Sequence, residues 1–183
     1  MISEEKNQLL REQKRAYIVA TFHHHESDCF FSYEEEEYID SEDISIQSID
    51  IMINGKWRNG KWLGNRFVEI QGKEYELQEG EIVRIKKGLT FCFQQAIEEL
   101  LDSSFVLFIN HLNDLSFSIY DFIYGYNQRL FDQTGASVYV FDNDEKICTV
   151  QHFFERENDY KDRFEFTLST GERSMITSFQ FEE

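Results

Sequence analysis

The spacing of hydrophobic and polar positions changes near residues 16, 88 and 134, and each change marks a new kind of expected element. Residues Ser3 to Arg15 are rich in helix formers, with Leu9 and Leu10 as the main apolar side chains among charges of both signs. This predicts a short helix packed by a narrow stripe. From Ala16 the chain turns to the short runs AYIVATF, CFFSY and ISIQSIDIMI, in which β-branched and aromatic residues signal strands. No helix of ordinary length fits between Tyr17 and Ile85.

Two Asn-Gly pairs lie in INGKWRNGKWLGN, and either can supply the positive φ that a two-residue hairpin turn needs. A turn at Asn59-Gly60 would set Trp57 opposite Trp62 as a cross-strand pair contributing on the order of 0.5 kcal/mol beyond burial. A turn at Asn54-Gly55 would separate the rings. RFVEIQGKEYELQEGEIVRI then alternates around Gln71-Gly72-Lys73. Several short strands in about seventy residues predict a small β barrel or roll of SH3-like size.

At Thr90 a helix cap is expected, with a helix from Phe91 to about Asp102. Apolar residues recur at helical spacing from 97 to 130, broken at NHLNDLS, which predicts two or three helices. Residues 104–110 fit a buried strand as well as a helix, because a short apolar run has no decisive period. After Gly135, ASVYVF, ICTVQHFF and RFEFTLSTGERSMITSFQF read as four strands of an antiparallel meander with one buried face. The expected fold class is α+β, divided at 1–88 (helix plus small barrel or roll) and 89–183 (a helical layer on a four-stranded antiparallel sheet).

Eighteen Lys+Arg against 35 Asp+Glu give a formal charge of −17, which removes the main driving term for nucleic acid and disfavours an anionic membrane. The three cysteines have no paired spacing and read as buried thiols. The polar start MISEEKNQLLREQKR lacks the apolar core that a signal peptide needs, so a cytoplasmic location is expected.

In TFHHHESD, strand alternation puts His23 and His25 on one side, and Glu26 or Asp28 could complete a divalent-metal site. The alternative is a solvated hairpin tip. The acidic run Glu34 to Asp43, which includes Glu35, Glu36 and Glu37, lacks the glycine and distal Glu of a calcium loop and reads as a solvated loop, with a docking site for a basic partner as the functional alternative. Arg84, Lys86 and Lys87 form a small basic cluster that balances nearby acids. His152 lies four strand residues from Cys148, too far for direct contact, so no activated thiol is expected. No phosphate loop, GxGxxG, HExxH, GxSxG or CxxC occurs, so no cofactor is signposted.

The expected function is a non-enzymatic adaptor that holds a protein partner through its acidic surface or through Trp57 and Trp62. The rivals are a metal protein built on the histidine cluster and an acidic mimic of nucleic acid. Exposed edges of the last sheet also offer a route to a homodimer.

Overall fold

The computed structural model describes residues 4–25, 28–34, 37–41, 49–157 and 160–180. The chain divides into two units, Tyr17–Lys87 and a second formed by Met1–Ala16 with Gly88–Glu183. The N-terminal helix α1 (Glu4–Arg11) therefore belongs with the C-terminal half of the chain. Its Leu10 enters that unit's core, and Lys6 Nζ donates to the Leu100 carbonyl at 2.5 Å, 3.1 Å from the Asp102 carboxylate.

The unit between residues 17 and 87 contains β1 (Tyr17–His25), β2 (Asp28–Tyr33), β3 (Glu37–Asp40), β4 (Ile49–Ile53), β5 (Lys56–Gly64), β6 (Phe67–Ile70), β7 (Lys73–Glu76) and β8 (Ile82–Lys86). They form one antiparallel sheet in the order β3-β2-β1-β8-β4-β5-β6-β7. The expected small barrel or roll does not form: among the described residues the sheet is open, with β3 and β7 at its two unpaired edges. Both are four residues long and charged (EYID and KEYE), too short and too polar to seal a cylinder. The sheet does bend over its own core. Trp62 on β5 meets Phe31 on β2 at 5.5 Å, above Phe22, Ile49, Ile51, Val68 and Val83.

The β4–β5 turn is Asn54-Gly55, both at positive φ, and Asn59-Gly60 runs within β5. Trp57 pairs with Met52, and Trp62 with Val68. The odd spacing of the two rings on one strand sends them to opposite faces, so the cross-strand tryptophan pair does not form.

In the other unit, α2 (Phe91–Glu98) and α3 (Asp102–Asp114) settle residues 104–110 as helix. Strands β9 (Phe122–Tyr126), β10 (Thr134–Asp142), β11 (Ile147–Glu155), β12 (Tyr160–Leu168) and β13 (Arg173–Gln180) form an antiparallel sheet in the order β13-β12-β11-β10-β9. The expectation of helices continuing to residue 130 over a four-stranded sheet is thus overturned. Ser116, at φ 71°, ends α3. A Ser118/Asp121 capping box opens a single 3-10 turn, and aromatic, β-branched FIYGY adds a fifth strand. With sheets of eight and five strands the architecture is mostly β.

One face of the smaller sheet is packed. Tyr139, Phe141, Cys148, Val150, Phe164, Phe166 and Leu168 meet Phe93, Phe105, Phe108 and Leu112 from the helices. Phe93 stacks on Phe122 at 4.0 Å, and Phe108 sits 4.9 Å from Phe164. Cys148 lies in this core, where burial pushes its thiol up to about 11.

Candidate functional site

Strand alternation sends the other half of the side chains to the opposite face of the smaller sheet, where α1, α2 and α3 do not pack. The pairing registers arrange this open face in rows. One row runs Tyr126, Val138, Gln151, Glu165, Met175, and the next Tyr124, Val140, Thr149, Thr167, Arg173. Large apolar groups stand out into solvent: Tyr124 is 62% exposed, Tyr126 50%, Met175 59% and Phe179 57%. A shallow groove of roughly 430 Å³ crosses the face between Gln151, Glu165, Thr167, Arg173 and Met175. Arg163 lies over the Phe153 ring at 4.5 Å and pairs with Glu165 at 2.9 Å. Lys161, Arg163 and Arg173 balance Asp142, Glu155 and Glu165, so this face is near neutral on a chain of charge −17.

Under the packed face lies a buried polar cluster. Asp162 accepts from His152 Nε2 at 2.7 Å, from Ser104 Oγ at 2.6 Å and from the Arg156 guanidinium. Burial pushes the Asp162 carboxyl up, but the bonds from His152, Ser104 and Arg156 outweigh it and hold the group well below the usual carboxylate range. Burial keeps His152 below its ordinary value in turn. The imidazole is therefore neutral and gives its Nε2 proton to Asp162, which makes this a charge-assisted hydrogen bond more than an ion pair.

Ser104, Asp162 and His152 invite comparison with a hydrolase triad, but the order differs. The carboxylate sits between hydroxyl and imidazole, so the imidazole is not the group that Ser104 bonds. All three residues are buried. The arrangement ties the first turn of α3 to β11 and β12. Sequence parity carried a signal for it: Asp162 is in phase with Phe164 and Phe166, and His152 with Cys148 and Val150, so both fall on the apolar face.

The histidine run forms the end of the β1–β2 hairpin, with His25 opposite Asp28. His23 Nδ1 lies 2.6 Å from the Glu79 carboxylate and Nε2 2.9 Å from Ser32 Oγ, with the ring stacked on Phe30 at 5.1 Å. The backbone N–H of His24 and the His23 ring both donate to Glu79, which holds that carboxyl low. A metal at His23 would have to displace one of these partners. Among the described residues no group of three or more His, Cys, Asp or Glu is placed to hold a metal. Glu26, Glu35 and Glu36 lie outside the described residues, and Glu37 opens the exposed edge strand β3.

Trp57 lies on the outer face of the larger sheet, where the Arg84 guanidinium sits between Tyr17 at 4.2 Å and Trp57 at 4.8 Å. The same guanidinium bonds the buried Asp50 at 2.6 Å, and Asn59 donates to Asp50 at 2.8 Å. Trp62 instead is partly buried and packs against the core on Phe31.

Two open-faced antiparallel sheets, one curled on its own core and one backed by helices, define a mostly β protein. The chain belongs to the family described as Protein of unknown function (DUF2777), whose model matches residues 4–178. It is similar to the Uncharacterized protein YisN of Bacillus subtilis (strain 168), 27% identical over 176 residues, covering 93% of this chain and 90% of that relative. No solved structure matches the chain. Among the described residues no helix is long and apolar enough to cross a membrane.

Proposed function

We propose that the protein is a non-enzymatic interaction module that holds a protein partner on the open face of its smaller sheet. One observation carries the reading: Tyr124 and Tyr126 project from adjacent rows of an uncovered face, beside Val140 and Val138. Tyrosine suits such a surface, because its ring contributes large apolar area while its hydroxyl stays hydrated until a partner arrives. The net charge of −17 draws a basic partner over long range, and the near-neutral face lets it dock without like-charge repulsion.

The test compares partner capture from an extract of the native host by the unaltered chain and by Tyr124→Ser/Tyr126→Ser. Tyrosine anchors at an interface centre contribute about 2 kcal/mol each, roughly thirtyfold in affinity per ring. The double variant therefore loses its partner, while Tyr38→Ser in the other unit retains it. Equal capture by all three chains would refute the assignment of this face.

A further inference from the structure

Natural sheets guard their edges against pairing with other chains by short length, charge, bulges or glycine. Among the described residues, three of the four sheet edges are guarded in this way: β3 and β7 are four residues long and charged, and β9 has five residues, Gly125 and a bulge opposite Val140 and Phe141. The fourth edge, β13, is different. It runs eight residues in unbroken register with β12 and carries no charge, glycine or proline after Arg173.

Exposed apolar side chains flank this edge on both sides of the sheet. Met175 and Phe179 stand on the open face. On the helical side, Ser103 and His111 of α3 reach Ser178 at 3.4 Å and Ser174 at 2.7 Å. Leu107, midway between them on the same helix face, is 42% exposed.

We propose that β13 pairs antiparallel with β13 of a second copy across a twofold axis at Thr177, joining two five-stranded sheets into one of ten strands. In this register Thr177 opposes itself and Met175 opposes Phe179 twice, a favourable thioether–ring contact. Ile176 opposes Ser178, and Ser174 opposes Gln180, so no like charges meet. Leu107 from each copy lies beside the axis on the helical side. This pairing uses the opposite end of the sheet from Tyr124 and Tyr126 and stands independently of the partner-binding reading. The repulsion of two chains of −17 adds to the ordinary entropic cost of association, and salt screens that repulsion, so association strengthens as salt rises.

Sedimentation of the full chain over a range of concentration and salt is the test. The expected species has twice the 21.9-kDa chain mass and grows with ionic strength. In a Cys92→Ser background, Thr177→Cys forms an intermolecular disulfide under mild oxidation, because directly opposed Cα atoms about 5 Å apart suit that bond. Thr149→Cys, in the middle of the open face, does not. Met175→Lys/Phe179→Lys places like charges across the axis at exposed positions, and it yields a monomer with an unchanged circular dichroism spectrum. A single 21.9-kDa species under all conditions overturns the proposal. So does a dimer that survives the lysine pair or fails to cross-link through Thr177→Cys.

Discussion

Asp162 is the position where the packing of helices on the smaller sheet can be tested most sharply. Its Oδ1 accepts from His152 and Arg156 and its Oδ2 from Ser104, all beneath the sheet. Asp162→Ala takes the carboxylate from the buried His152 imidazole and Ser104 hydroxyl and leaves the Arg156 guanidinium only the Glu155 and Lys161 carbonyls, a loss of about 3–5 kcal/mol by analogy with broken buried pairs. Asp162→Asn differs in kind. Its carbonyl can face His152 and Arg156 while its amide faces Ser104, whose hydroxyl rotates to accept. Only the charge assistance is lost, about half the cost of the alanine variant. With a urea dependence of about 2 kcal/mol per molar, the alanine midpoint falls by about 2 M and the asparagine midpoint by about 1 M. Hydrogen exchange localises the effect, with protection lost first in the opening turn of α3 and in β11 and β12. An alanine variant within about 1 kcal/mol of the unaltered chain would refute the cluster's structural role. An asparagine variant as damaging as alanine would refute the rotation of Ser104.

Acid should destabilise the same unit in two stages. His152 is held below its unfolded value of about 6.5, so the unfolded chain takes up that proton first and stability falls below about that pH. Asp162 is held below its unfolded value of about 3.9, so its contribution is present above that pH and is lost as pH drops toward the folded value. Thermal melts of His152→Gln at about pH 7 and about pH 5 should lack the first stage, and an unchanged profile would contradict it. The two tryptophans should separate in denaturant titrations: Trp62→Ala removes a partly buried ring packed against the core and costs about 2–3 kcal/mol, whereas Trp57→Ala forgoes mainly a cation–π contact of about 1 kcal/mol. Gly60→Ala places a Cβ in steric overlap with Val68 Cγ1 and 3.1 Å from the Glu69 carbonyl oxygen. It should cost about 1–3 kcal/mol by overpacking, and Val68→Ala in the same chain should relieve part of that strain.

Much of the strand content was legible because period-two alternation is strong where one face is buried, as in Phe164, Phe166 and Leu168. The segment from 115 to 130 was not. Its apolar recurrence suits a helix, yet Ser116 at positive φ breaks that helix, and FIYGY gains more by extending the sheet. The open-face residues Tyr124 and Tyr126 were hidden by the same misreading. The turn between β4 and β5 was one of two locally equivalent Asn-Gly choices, decided by β4 register and not by turn chemistry. Closure of the larger sheet could not be read from strand number, since it depends on whether β3 and β7 meet. The histidine run was legible as a hairpin end, but its pairing with Glu79 joins residues more than fifty positions apart and left no local mark.

The open face of the smaller sheet is where we propose that a partner is held. The most direct measurement is photo-cross-linking in the native host, with a benzophenone amino acid at Tyr124 and, separately, at the more exposed Tyr38 of the larger sheet. The expected result is one discrete covalent adduct to another protein from Tyr124 and none from Tyr38. Adducts from Tyr38 alone, or the same diffuse pattern from both positions, would contradict it.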